Sequence, residues 1–204
     1  MKKVPLEIVI PVFNEGEKII SLVQNIKKEL KVNFRIMFCY DDEKDDIFKI
    51  KNELLSLGID IAFIKNPSKG PLSAIKEGVK QGNSNSIIVY PADDFLNFNI
   101  LQSMYNKFIE GNDIVVASRF TKGGSMKNCP IIKSILVRTA SYTLYFLSSI
   151  PVKDASNGFR LFSRKLLNKI KIESVVGFAY SLELLVKGHR LNFQISEIPA
   201  QWEE

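Results

Sequence analysis

Histidine is nearly absent from this chain. His189 is the only one among 204 residues, set in VKGHRLNF, and nothing near it looks like a nucleophile elbow. Ser-His-Asp and Cys-His mechanisms are therefore not expected, and His189 is read as structural or exposed. Cysteine is nearly as scarce. Cys39 and Cys129 form no CxxC pair and no Cys/His cluster, which argues against a structural zinc site and a disulfide framework. Cys39 lies in an apolar run and is expected to be a small buried hydrophobe. A GxxxxGKS/T phosphate loop is missing, and no GxGxxG follows the first apolar run, which speaks against P-loop and dinucleotide chemistry. No uncharged apolar run reaches the roughly 18 residues of a membrane-spanning helix. The apolar part of MKKVPLEIVIPVFNE is too short for a signal peptide. No Pro/Gly/Ser linker or low-complexity segment divides the sequence, so one domain over residues 1–204 is expected.

What is present is ordinary globular material, 46% hydrophobic and 25% charged. A net charge of +6 suits an anionic partner: nucleic acid, a phosphorylated small molecule or a lipid surface. Short apolar runs begin at Leu6, Phe34, Ile59, Ser86 and Asp113, 25 to 28 residues apart. They read as strands buried on both faces. Helical spacing fills the gaps. Asn14 and Glu17 have capping-box spacing ahead of Ile19, Leu22, Val23, Ile26 and Leu30. Ile47 to Leu57, a segment opened by Pro71, and Ile100 to Phe108 repeat the pattern. This alternation predicts an α/β fold with a mostly parallel sheet flanked by helices.

Ligands of such sheets bind at the carboxyl ends of the strands. Those ends carry Glu15, Asp41, Asp42, Asp93 and Asp94. Crowded carboxylates call for a compensating cation, and hard oxygen ligands suit Mg²⁺ or Mn²⁺ shared with phosphates. Asp45 and Asp46 are read as solvent-facing caps. Arg119 and Arg160 offer rigid forks for phosphate oxygens. Residues 131–150 form one amphipathic stretch with only Lys133 and Arg138 charged.

Together these segments resemble family-two glycosyltransferases of the GT-A fold. EIVIPVFNEGEKI is similar to their opening strand and turn, YDDEKDD to their second-strand Asp-Asp motif, and NPSKGPLSAIKEG, with Lys69, to their Lys-Gly-rich segment. DIVVASRFTKGG, VKDASNGFRLFSRKLL and the closing GFAYSLELLVKGHRLNFQISEIPAQWEE complete the series. The branch that matches best is the polyprenyl-phosphate glycosyltransferases, of dolichyl-phosphate mannose synthase type. The resemblance implies inverting transfer of a hexose from a nucleotide diphosphosugar to a polyprenyl phosphate, with no nucleic acid as partner. It implies a nucleotide-sugar-binding half over about 1–120 and an acceptor-side half over about 121–204.

By position it implies that Pro11, Phe13 and Glu15 line the base and ribose pocket, with Asp42 on the nucleoside. Lys69, Arg119 and Arg160 bind substrate, Asp93 holds the metal, and Asp154 is the base or acceptor-positioning group. Glu183 supports the site. The family's Asp-x-Asp is here Pro91, Ala92 and Asp93, followed by Asp94, so the resemblance leaves two outcomes: Asp94 substitutes as metal ligand by a one-residue shift, or metal binding is weak. Ile131, Ile132, Ile135, Leu136, Tyr142, Phe146 and Leu147 are expected on a bilayer face, with Lys127, Lys133 and Arg138 toward lipid phosphates. That places the protein in the cytoplasm, peripheral on the inner face of the membrane; a core helix, or one covered by a second protomer in an oligomer, is the alternative. Two other readings stay open: transfer to a soluble glycan or protein-linked acceptor, and a nucleotide-sugar-binding module whose turnover was lost with Pro91.

Overall fold

The computed structural model describes residues 4–175 and 177–203. The first three residues of the basic start and Glu204 at the close of the last motif lie outside them. The chain alternates β1 (Leu6–Pro11), α1 (Lys18–Glu29), β2 (Phe34–Tyr40), α2 (Lys51–Ser56), β3 (Asp60–Lys65), α3 (Pro71–Gln81), β4 (Ser86–Val89), α4 (Leu101–Ile109) and β5 (Ile114–Ser118). Then follow β6 (Ser125–Lys127), α5 (Ile131–Ser148), β7 (Arg160–Ser163), α6 (Arg164–Lys169), α7 (Ala179–Arg190), β8 (Ile195–Pro199) and β9 (Gln201–Glu203).

Seven strands form one sheet in the order β3-β2-β1-β4-β7-β5-β8, and β6 pairs with β9 beside it. All neighbours in the large sheet are parallel except β7, which runs antiparallel to both β4 and β5. β7 was not anticipated as a strand, because RLFS follows the polar stretch KDASNGF and is only four residues long. Buried on both sides by its neighbours, so short a strand carries little pattern of its own.

The strands sort their side chains by parity. Leu6, Ile8 and Ile10 of β1 face one way and join Ile19, Leu22, Val23 and Ile26 of α1 in the main core. Val9, Met37 and Cys39 face the other way, under α3. Gly78 lets α3 sit that close. A Cβ there would come within 2.7 Å of Val9 and 3.0 Å of the Cys39 sulfur. The Cys39 thiol is buried as expected, and burial pushes its pKa up to about 12.

Asn14 is not the cap of α1. Its φ is +58°, outside the helix, and the position before α1 is Glu17, which makes no side-chain capping bond. Asn14 instead ties the β1 turn to the next one: its N–H donates to Asp45 at 3.0 Å and its side-chain oxygen accepts from the Asp46 N–H. Asp45 is buried for that reason, rather than solvent-facing. The helix expected from Ile47 to Leu57 is split into a 3₁₀ turn, Asp46–Phe48, and α2.

Candidate active site

The strand order reverses direction at β1, whose neighbours are β2 and β4. A crevice of about 810 Å³ opens there, at the carboxyl ends of the parallel strands. Pro11, Phe13 and Glu15 enter it after β1, Asp41 after β2, and Asn66 and Lys69 after β3. Tyr90, Pro91 and Asp93 enter after β4, and Arg119 after β5. The far wall is Ser156 to Phe159 with Phe178, Tyr180 and Trp202. Of the residues singled out from sequence, Pro11, Phe13, Glu15, Asp41, Lys69, Asp93 and Arg119 are thus brought together.

Asp42, Asp94, Asp154 and Arg160 are not part of the lining. Asp42 is exposed and closes a local turn by accepting the Lys44 N–H at 3.0 Å. Its neighbour Asp41 takes the place in the crevice, where it accepts from the Asn66 amide at 2.8 Å and the Gly70 N–H at 2.9 Å. Gly70 is suited to that turn, with φ at +101°.

Asp94 does not join Asp93 in the crevice lining. One oxygen accepts from the backbone N–H of Leu96 and of Asn97, and the Asn97 amide spans both oxygens at 3.0 and 2.7 Å. Burial raises its carboxyl above the usual range in spite of those bonds. It holds the turn after β4 rather than substituting for the residue replaced by Pro91.

Arg160 is fully buried. Its guanidinium donates to the carbonyls of Asn157, Ala155 and Ser181, so it fastens the loop before β7 to α7 and does not line the crevice. Burial lowers its pKa to about 10, and it remains a cation.

Asp154 is also fully buried, behind Arg119. Its carboxylate accepts from the Arg119 N–H at 3.0 Å, Nε at 2.7 Å and Nη2 at 2.9 Å. Further bonds come from the N–H groups of Ser156 and Asn157. Burial alone would raise this carboxyl, but the Arg119 hydrogen bonds and charge outweigh it and hold it below the ordinary range. So filled and so acidic a group is a poor base. It fixes Arg119, which also donates to the Ser156 hydroxyl at 2.7 Å.

Glu183 does not reach the crevice either. It accepts from the N–H groups of Glu173 and Ser174 and pairs with Lys187, anchoring the loop before α7. His189 is half-buried on α7 and does not line the crevice.

The family resemblance noted from the sequence implies a divalent cation in this crevice. Among the described residues no three His, Cys, Asp or Glu side chains converge to hold one. Asp93 is nevertheless exposed in the crevice, and the Glu15 carboxyl is pushed up by burial and then by the Asp93 charge. The Lys18 charge acts against those two effects on Glu15 but does not cancel them. Mg²⁺ and Mn²⁺ commonly take one or two carboxylates and complete their shell with phosphate and water. Asp93, with Glu15 beside it, fits a cation that arrives with a diphosphate.

Helix α5 borders the mouth of this crevice. Lys133 lies over the ring of Trp202 at 5.1 Å, and Arg138 and Arg119 lie over the ring of Phe120 at 5.0 and 5.2 Å. Tyr142 stacks on Phe120 and so faces inward, contrary to its expected place on the outer face. Ile131, Ile132, Ile135, Leu136, Phe146 and Leu147 are exposed, Leu147 by 82%. Among the described residues no helix is long and apolar enough to cross a membrane.

Residues 7–171 match the sequence profile of glycosyl transferase family 2. The chain belongs to that family. It is 25% identical over 188 residues to the dolichol-phosphate mannosyltransferase of Pyrococcus furiosus, covering 90% of this chain and 53% of that protein. It is 24% identical over 205 residues to the polyprenol monophosphomannose synthase of Mycolicibacterium smegmatis, covering 97% of this chain and 77% of that one. The chain thus spans about half the length of the first relative. Among solved structures it is similar to glucosyl-3-phosphoglycerate synthase from Mycobacterium tuberculosis in complex with Mn²⁺, UDP and phosphoglyceric acid. That likeness has a TM-score of 0.71 at 13% identity and covers 98% of this chain and 69% of that one. The fold is therefore GT-A.

The sequence reading passed over Asn66, Trp202 and the aromatic wall as site residues. Asn66 opens the Lys-Gly-rich segment just after β3, but the resemblance gives it no role. Trp202 and Tyr180 lie within the closing motif but are given no role by it; β9 and α7 place them at the crevice.

Proposed function

We propose that this chain is a nucleotide-sugar-dependent glycosyltransferase that moves a hexose to a polyprenyl phosphate with inversion at the anomeric carbon. The observation that carries the acceptor class is the exposed apolar face of α5 beside a crevice that contains Arg119. A lipid tail leaving the crevice along α5 stays against apolar surface. The named activities of the two curated relatives agree with this reading.

In this reading Lys69 and Asp93 face the donor diphosphate, and Pro11, Phe13 and Glu15 flank the nucleoside. Asp93 would hold a divalent cation, which would supply positive charge to the departing diphosphate. Arg119, fixed by Asp154, aligns the acceptor phosphate opposite that leaving group. A phosphate oxygen, already anionic, forms the bond to the anomeric carbon. The bond to the diphosphate oxygen breaks on the other face, and the nucleoside diphosphate keeps the electron pair. No general base is required, which agrees with a buried and fully bonded Asp154. The protein works at the cytoplasmic face of the membrane, attached peripherally through α5.

The test is transfer from labelled nucleotide sugars to a short-chain polyprenyl phosphate in detergent, with and without Mn²⁺. Lipid-linked product of inverted anomeric configuration is expected. Transfer to a soluble acceptor alone would overturn the acceptor class. Donor binding without turnover on any acceptor would reduce the protein to a nucleotide-sugar-binding module.

A further inference from the structure

We infer that Phe120 and Arg138 are positioning residues for the transfer reaction: the Phe120 ring, held from helix α5, sets where the Arg119 guanidinium stands. The consequence for the acceptor rests on the reading above, that Arg119 aligns the acceptor phosphate.

The Arg119 main chain is pinned first. Its N–H donates to Asp154 at 3.0 Å. The turn that follows folds back so tightly that a Cβ at Gly124 would stand 2.9 Å from the Arg119 carbonyl carbon. No side chain fits there without moving that backbone. The Arg119 side chain then reaches the crevice wall. Asp154 takes Nε and Nη2, and the Ser156 hydroxyl shares Nη2. Nη1 is left without a hydrogen-bond partner among the described residues. A ligand oxygen in the crevice thus meets one free nitrogen rather than a fork. Its alignment depends on how closely the guanidinium is held.

Phe120 adds to that hold. The ring is only 8% exposed, and the Arg119 guanidinium carbon lies over it at 5.2 Å. Asp154 holds the guanidinium by hydrogen bonds. The ring attracts the same cation to its π-electrons and shields it from water.

Arg138 and Tyr142 hold the ring in turn. They stand four residues apart on α5 and so share one side of that helix. Arg138 lies over the ring at 5.0 Å, and Tyr142 stacks on it at 6.2 Å with 28° between the planes. Arg138 is half-buried and does not line the crevice. It forms no ion pair among the described residues, and its side chain donates only a 3.4 Å bond to the Ser134 hydroxyl. An arginine so placed acts on the ring rather than on a ligand in the crevice. The two guanidinium charges repel each other, and the Asp154 carboxylate beside Arg119 offsets that repulsion. Helix α5 thereby takes part in aligning the acceptor.

The test combines NMR of the arginine side chains with transfer kinetics on the folded full chain, each variant checked by thermal melting. The Arg119 Nε–H resonance, assigned by its loss in Arg119→Lys, is expected to exchange slowly with water in the parent. Phe120→Leu keeps an apolar side chain and removes the ring. It and Arg138→Met are expected to speed that exchange several-fold, and Phe120→Tyr to preserve the parent rate. Phe120→Leu is expected to lower kcat/KM for a short-chain polyprenyl phosphate roughly tenfold, with donor affinity unchanged. In an Arg119→Gln background the same change is expected to cost nothing further, because its effect passes through Arg119. An unchanged Nε–H exchange rate in Phe120→Leu and Arg138→Met, or an equal loss of transfer in the Arg119→Gln background, would overturn the inference. A parent protein that transfers no sugar to polyprenyl phosphate would instead remove the acceptor reading, and the exchange rates would still decide whether Phe120 and Arg138 position Arg119.

Discussion

The guanidinium of Arg119 and the carboxylate of Asp154 meet side-on, Nε to Oδ2 at 2.7 Å and Nη2 to Oδ1 at 2.9 Å, with the acid fully buried and the base at the crevice wall. A two-point pair of this kind fixes the plane of the arginine. Removing the acid leaves Arg119 without its orienting partner. Asp154→Ala should cost about 3 kcal/mol in urea unfolding. It should lower kcat with little change in the KM for donor. The pH profile should keep its shape, and small carboxylic acids added to the assay should not restore activity as they would for a missing base.

Asp93 and Asp94 are adjacent in sequence and separate in role. Asp93→Ala should weaken metal-dependent donor binding and leave the melting temperature unchanged. Asp94→Ala removes the anchor of the turn after β4 and should cost about 1–2 kcal/mol of stability. Donor affinity of the folded Asp94 variant should stay near that of the parent. The opposite pattern in calorimetry and melting would return Asp94 to the metal site.

Arg160→Met leaves three carbonyl oxygens without the donor that joins them. A loss of about 3 kcal/mol or more is expected. Unfolding curves are the readout, and a phosphate-binding arginine would instead raise KM in a protein of ordinary stability.

Glu183 provides an acid-side marker. Burial would raise its carboxyl, but the bonds from Lys187, Ser174 and the Glu173 N–H hold it down to about 2, below its ordinary 4.5. A depressed carboxyl contributes stability that is complete above its unfolded value and is lost as the pH falls through the folded one. The loss should therefore run from about 4.5 down to about 2. Glu183→Gln should flatten that part of the melting temperature against pH, with donor binding unaffected.

The apolar face of α5 should hold the protein on vesicles. Ile135→Glu with Leu136→Glu should reduce cosedimentation with anionic vesicles several-fold, because charged side chains resist burial among acyl chains. Donor binding in solution should not change.

The parallel strands were legible because Ile, Val and Phe recur in runs at one period, and the site's location followed from strand ends alone. Which side chains enter the crevice was harder. Asp41 and Asp42 are chemically alike, and only the direction in which the chain leaves β2 decides that Asp41 lines it. Arg119 and Arg160 are equally arginine-like in sequence. Their opposite fates depend on β7 running back between β4 and β5, a long-range pairing that leaves Arg160 inside the sheet. The pairing of Asp154 was illegible for a similar reason: its partner Arg119 stands 35 residues earlier.

The antiparallel β7 also bears on the order in which this protein acquires its structure during synthesis. β1 to β4 pair with one another and require nothing beyond Val89. β5 does not pair with β4, because the strand between them is residues 160–163. Until the ribosome has delivered that segment, β4 presents an unpaired edge and β5 is without the neighbour that joins it to the sheet. A nascent chain arrested before residue 160 should bind strand-capturing chaperones and be readily cleaved by proteases near β5, and one arrested beyond β8 should resist both.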